Sequence, residues 1–154
     1  MVRLVTEFQG FVRDLLDLST IKVIQGSGCS VQYQPQLISA ATRGRMIDRG
    51  NPHLDAIRDD ASRLGIAQVG SHLAAKNRRH ADDVQALKRL AELRNALAHD
   101  DQDKVLALSK SGVRPTLGYV SGCQSALSRH ARALDHVVWD HLAALFPMLD
   151  PWSP

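Results

Sequence analysis

Apolar residues recur every three or four positions near both ends of the chain, a spacing typical of amphipathic helices. Near the N-terminus this spacing predicts a helix over about residues 2–24, whose apolar face comprises Leu4, Phe8, Phe11, Leu15 and Leu18. Near the C-terminus it predicts a long last helix that begins near Thr116, or at Ser121 with Gln124 as a capping box, and ends before Pro147. Its packed face comprises Val120, Cys123, Leu127, Ala131, Leu134, Val138 and Leu145.

Shorter elements are predicted after the first helix. Residues 25–34 are rich in Gly and Ser and indicate a loop. Pro35 is expected to open a short helix through about residue 47. Its inward-facing residues would be Leu37, Ile38 and Met46. Its basic residues, which are expected to be solvated or to touch RNA phosphates, are Arg43, Arg45 and Arg49.

The next helix has clear start and stop signals. Asn51 is expected to cap it, with Pro52 as the first helical residue. Gly65 is a good C-terminal stop. A further short helical piece is expected after Ser71.

The central helix, which ends near His99, carries two apolar stripes at about 100° per residue. The first stripe comprises Ala86, Leu90, Leu93 and Leu97, and the second comprises Val84, Leu87, Ala91 and Ala98. Arg94 projects near the second stripe. A guanidinium on a packing surface costs free energy unless an anion or a hydrogen-bond acceptor meets it.

The composition supports one all-α domain over residues 1–154. Aromatic residues make up only 5% of the chain, while Ala and Leu are abundant, which favours helices. We therefore predict an up-and-down bundle of about four main helices with one or two short ones. The tail after residue 147 has no regular pattern, although Trp152 could pack back on the bundle.

Charge and cysteine content bear on whether the protein binds nucleic acid and on the cellular compartment in which it is expected. The net charge of +3 is compatible with nucleic-acid binding without requiring it. Cys29 and Cys123 lie far apart, as expected for free thiols in the cytoplasm. No stretch approaches the ~20 apolar residues of a membrane span, and no signal-peptide pattern begins the chain.

Three polar residues near the end of the central helix carry the candidate chemistry: Arg94, Asn95 and His99. Arginine binds phosphate oxygens bidentately, and neutral histidine can accept or donate a proton near pH 7. An amide can orient either group. The same residues also allow a structural interpretation, in which His99 interacts with the helix dipole and Arg94 pairs with a buried acid.

This arrangement, Arg94-Asn95, three residues, then His99-Asp100, resembles the signature of the HEPN superfamily. The segments TEFQGFVRDLLDL and GNPHLDAIRDDASRLGI are also similar to the HEPN branch found beside RNA-ligase-type operons. Some HEPN proteins carry Tyr two residues after the His, where this chain has Asp101. The resemblance therefore does not imply regulation through a tyrosine at that position.

The resemblance implies a metal-independent RNA endonuclease of toxin–antitoxin or defence type. Arg94, Asn95 and His99 would be the catalytic residues, in a composite site made by two motif helices in a homodimer. RNA would be the substrate and a cognate antitoxin a further partner. The alternative is a non-catalytic HEPN-like module that binds RNA or serves as the scaffold partner of a nucleotidyltransferase or antitoxin.

A basic cluster is predicted to contact RNA phosphates, comprising Lys76, Arg78, Arg79, Lys88 and Arg89. Surface positions are expected for His72 and His80 because neither has a partner at metal-ligand spacing. We expect neither a metal nor a cofactor.

Overall fold

The computed structural model describes residues 2–114 and 116–147, which form seven α helices, two 3-10 turns and no strand. The helices are α1 (Val2–Gly26), α2 (Gln34–Thr42), α3 (Leu54–Ser62), α4 (Val69–Lys76), α5 (His80–Ala98), α6 (Gln102–Lys110) and α7 (Leu117–Leu145). The 3-10 turns span Val31–Tyr33 and Met46–Asp48. The predicted all-α fold is confirmed, with three long helices and four short ones.

The core forms around α7, against which α1, α4 and α5 pack. The buried positions of α7 recur at three- and four-residue intervals from Cys123 to Leu142, so one face of the helix is covered along most of its length. Leu134 and Val138 are completely buried there, together with Leu90 of α5 and Val12 of α1. The four helices therefore share one hydrophobic core. No helix in the described part of the chain has both the length and the apolar character needed to cross a membrane.

The segment after α1 differs from its prediction. Its helix ends at Thr42, and α2 buries none of its side chains. Leu37 and Met46, expected to face inward, are 43% and 39% exposed, whereas Ile47 is completely buried. The Asp60 carboxylate explains this arrangement, since it accepts hydrogen bonds from the backbone N–H groups of Met46 and Ile47, both at 2.8 Å.

The three arginines predicted as a basic run in this segment also differ in their exposure. Arg45 is only 4% exposed and forms ion pairs with Asp17 of α1 and Asp48. Arg43 and Arg49 remain exposed. The prediction that all three arginines are solvated or face RNA is therefore wrong for Arg45, whose guanidinium anchors the segment to α1.

The predicted cap of α3 is wrong. The capping residue is His53, whose ring nitrogen Nδ1 accepts a hydrogen bond from the N–H of Ala56 at 3.1 Å. Because His53 satisfies that N–H, the helix begins after Pro52 instead of at it. The side chain of Asn51 is then free to contact another helix.

Side chains also cap α6 and α7. Thr116 caps α7 by accepting a hydrogen bond from the N–H of Tyr119 at 3.2 Å, which places Ser121 inside the helix. Asp101 caps α6 by accepting from the N–H of Lys104 at 3.0 Å. The predicted packing of Trp152 lies outside the described residues.

Candidate functional site

α5 places the motif residues because its leucines are anchored in the core. Leu87, Leu90 and Leu93 are 0–1% exposed and hold the helix in the core. The second predicted stripe therefore packs within the chain at Leu87 and at Ala91, which is 7% exposed. Leu97, expected on the buried stripe, is instead 49% exposed, since it lines an open groove of about 600 Å3 between the end of α5 and α6.

Arg94 is partly buried, and its guanidinium reaches the segment before α3. Its Nη1 donates a hydrogen bond to Oδ1 of Asn51 at 2.6 Å. No carboxylate in the described part of the chain forms an ion pair with it. The alternative in which Arg94 pairs with a buried acid is thus not seen within those ranges. A neutral amide holds the arginine without cancelling its charge.

Asn95 and His99 differ from each other in exposure. Asn95 is partly buried and lines a groove of about 470 Å3 between α3 and α5. His99 is exposed and follows the last residue of α5, with its N–H bonded to the carbonyl of Asn95 at 3.1 Å. The next residue, Asp100, has a φ of +52°, which turns the chain away from the helix axis. His99 is therefore presented at a corner, accessible to a ligand.

Arg94 and His99 point in different directions. Five residues along a helix correspond to a rotation of about 140° between side chains. Arg94 is directed to Asn51, while the side chain of His99 makes no hydrogen bond to any other described residue. The structure brings Arg94 and Asn95 to the side of α5 that faces the start of α3 and leaves His99 outside that contact.

The five predicted RNA-binding residues differ in their ion pairs and in the grooves that they line. Lys76 forms an ion pair with Asp140 at 2.6 Å, and Arg79 forms one with Asp82 at 3.5 Å. Arg78 is exposed and has no ion-pair partner within residues 2–114 and 116–147.

The two basic residues on α5 line different grooves. Lys88 lines the groove between α3 and α5. Arg89 lines a separate groove of about 390 Å3 with Tyr119 and Cys123 of α7. Burial, together with the neighbouring thiol of Cys123, raises the pKa of Tyr119 to about 12.

Asn51 is a residue of the candidate site that the sequence pattern did not identify, since the pattern predicted Asn51 only as a helix cap. Its side chain contacts a residue 43 positions away, which no local pattern reports. Its neighbours Gly50 and Pro52 indicate only a turn or a helix start. The contact exists because the segment before α3 lies next to α5 in the folded chain.

A second polar cluster lies in the core. Arg129 of α7 donates two hydrogen bonds to the carboxylate of Asp83, at 2.5 and 3.0 Å, and Asn77 donates a third at 2.9 Å. Burial alone would raise the pKa of Asp83, but the hydrogen bonds from Arg129 and Asn77 outweigh it, so the pKa is lowered. Asp83 therefore links α5 to α7.

His80 is partly buried instead of exposed as predicted, because its ring stacks on that of the buried His130. The ring centroids are 5.6 Å apart and the planes differ by 16°. His130 is completely buried, and neither of its ring nitrogens has a hydrogen-bond partner among the residues that the structure describes. Burial lowers the pKa of His130 to about 4 and also lowers that of His80.

No group of three or more His, Cys, Asp or Glu residues in the described ranges is arranged to hold a metal ion. Comparisons with protein-family models, with curated proteins and with solved structures find no match to this chain. The candidate site accordingly rests on the motif residues and their geometry.

Proposed function

We propose that this chain is a metal-independent RNA endonuclease in which Arg94, Asn95 and His99 act on one phosphodiester bond. The observation that carries the proposal is the partly buried Arg94, which is held by a neutral amide and has no counter-ion among the described residues. A guanidinium in such surroundings favours the binding of an anion, which compensates its charge. Its N–H groups match the oxygens of a phosphate, including the charge that develops in the transition state.

The proposed reaction needs no bound cofactor. His99 accepts the proton of the ribose 2′-hydroxyl as that oxygen attacks the adjacent phosphorus atom. The bond from phosphorus to the 5′ oxygen breaks, and that oxygen takes a proton from an acid on the opposite side. The products are a 2′,3′-cyclic phosphate and a 5′-hydroxyl. Asn95 orients the phosphate or His99.

The acid and the base come from two copies of the chain in this proposal. Arg94 and His99 diverge around α5, and one chain supplies only one such pair. Two α5 helices that face each other place a second His99 across the bond, where its protonated form is the acid. The exposed Leu97 and Leu106 near this end of α5 give the homodimer an apolar contact. A cognate antitoxin is proposed to inhibit the enzyme by covering this site.

The test is cleavage of single-stranded RNA by the purified protein in excess EDTA. We expect fragments whose 5′ ends can be phosphorylated directly and whose 3′ ends carry a cyclic phosphate. RNA with 2′-O-methyl groups should resist cleavage because the attacking hydroxyl is blocked. Light scattering at micromolar concentration should give the mass of a dimer. Cleavage that requires a metal, or that proceeds on 2′-O-methyl RNA, would contradict the proposal.

A further inference from the structure

The groove between α3 and α5 has the size and the lining of a site for a planar ring. Its volume of about 470 Å3 falls in the range of small-molecule sites. Its apolar residues are Leu54, Val84, Leu87 and Ala91. Asn51, which holds Arg94, and Asn95 also line it. A ligand in the groove therefore lies beside the proposed catalytic arginine.

Glu92 is the group in this groove that most restricts the kind of ligand. It is partly buried, and its side chain makes no hydrogen bond or ion pair with any other described residue. With Asp55 and Glu92 against Lys88, the lining carries two carboxylates and one cation, which disfavours the phosphates of the RNA backbone in this groove. It does suit the edge of a base that offers N–H donors. The amide of Asn95, also without a hydrogen bond to any described residue, adds one donor and one acceptor.

His53 provides a ring at the edge of the groove. Its Nδ1 accepts the N–H of Ala56, which fixes the ring and places the proton of the neutral form on Nε2. A fixed, exposed ring is a platform on which a base can stack. Because the cap of α3 already orders the His53 ring, stacking a base on it costs little further conformational entropy.

We propose that this groove binds a guanine base of single-stranded RNA. Guanine has two adjacent N–H donors on its Watson–Crick edge, which match the two oxygens of the Glu92 carboxylate. Adenine presents an unprotonated ring nitrogen at the corresponding place and would be repelled. The phosphate attached to the bound nucleotide would then approach Arg94. This inference rests on the proposed function only in taking RNA as the ligand.

The test uses the His99→Ala variant, so that binding is measured without cleavage. Fluorescence anisotropy would compare labelled oligouridine that carries one central guanosine, inosine or adenosine. We expect the guanosine oligonucleotide to bind at least ten times more tightly than the adenosine one. Inosine, which lacks the exocyclic amino group, should fall between them.

Adding Glu92→Gln should remove this preference without lowering the affinity for plain oligouridine. Glu7→Gln, at the chain's only other glutamate, is the matched control and should retain it. Circular dichroism would establish that both variants are folded. RNA binding without a guanosine preference, or a preference that survives Glu92→Gln, would overturn the proposal.

Two further measurements test the choice of RNA as the ligand and the proposed nuclease activity separately. GMP should compete much more weakly than the guanosine oligonucleotide, because neighbouring phosphates contribute to binding. Competition by GMP at equal concentration would overturn the assignment to RNA. A guanosine preference that depends on Glu92, in a protein that does not cleave RNA, would support the groove and overturn the nuclease. Cleavage of RNA with no base preference would support the nuclease and overturn the guanine site in the groove.

Discussion

The imidazole ring of His130 lies nearly parallel to that of His80, with 5.6 Å between the centroids, and both nitrogens of His130 are buried without a hydrogen bond to any described residue. Phe8 approaches the same ring at a centroid distance of 5.8 Å. The charged form of His130 is disfavoured by burial and by His80, and only Asp83 opposes this effect. The core therefore holds this histidine in its neutral form.

The first prediction is that the protein loses stability as the pH falls from about 6.5 to about 4. The pKa of His130 is about 4 in the folded chain against an ordinary value of 6.5, so the unfolded chain binds more protons in this interval. The free energy of unfolding should therefore rise with pH across it, by about 3 kcal/mol in total. Urea unfolding at several pH values would measure this slope.

His130→Leu supplies the direct check on that slope. Leucine fills a similar volume and buries no unpartnered nitrogen, so the variant should be more stable than the wild type at pH 5. Its stability should also depend less on pH. His72→Ala, at an exposed histidine, is the control and should keep the wild-type slope. An unchanged slope in His130→Leu would show that another group titrates.

The second prediction concerns the ion pair between α5 and α7. Arg129→Met should destabilise the fold by about 3 kcal/mol at pH 7, because it leaves Asp83, which is 1% exposed, with Asn77 as its remaining hydrogen-bond donor. Arg132→Met, at an exposed position of the same helix, should change stability by less than about 0.5 kcal/mol. Thermal unfolding of both variants measures the difference, and equal losses would count against the pairing.

The third prediction separates catalysis from folding. His99→Ala should abolish RNA cleavage and change stability by less than about 1 kcal/mol, because the side chain is exposed. Arg94→Ala should also abolish cleavage and leave the fold at least as stable, since it removes a partly buried charge without a counter-ion among the described residues. His136→Ala, at an exposed histidine of α7, is the control. Cleavage that persists in His99→Ala would leave the three motif residues with a structural role.

The fourth prediction uses Asn51, which holds Arg94. Asn51→Asp puts a carboxylate where the amide oxygen now accepts from the guanidinium. The new ion pair should stabilise the protein by about 1 kcal/mol and lower RNA cleavage at least tenfold, because the charge of Arg94 is then compensated. In an Arg94→Met background the stabilisation should disappear. Full activity in Asn51→Asp would show that a free charge on Arg94 is not required.

The fifth prediction concerns the basic cluster before α5. Replacing Lys76, Arg78 and Arg79 together by Ala should weaken binding to unrelated RNAs about equally and flatten its dependence on salt. Arg78 should contribute most, since Lys76 and Arg79 already pair with Asp140 and Asp82. Titrations at two salt concentrations would test this. Unchanged affinity would mean that these charges only face solvent.

The sequence by itself was sufficient for the fold class and for the long helices. The spacing of Leu4, Phe8 and Leu15 identifies the buried side of α1, because a helix must cover a continuous apolar face. The start of α7 near Thr116 was also identifiable, since the side chain of Thr116 bonds a backbone N–H only three residues away. Such interactions are complete within one turn of helix.

Only the tertiary structure decided which polar groups meet. Asn51 holds Arg94 instead of capping α3, and His80 stacks on His130, because separate helices bring them together. Four leucines remain exposed although their spacing is that of a core: Leu18, Leu37, Leu97 and Leu145. Periodicity shows which side of a helix is apolar, but not what covers it. A buried polar group takes its partner from whichever helix packs beside it, and that neighbour can lie anywhere along the chain.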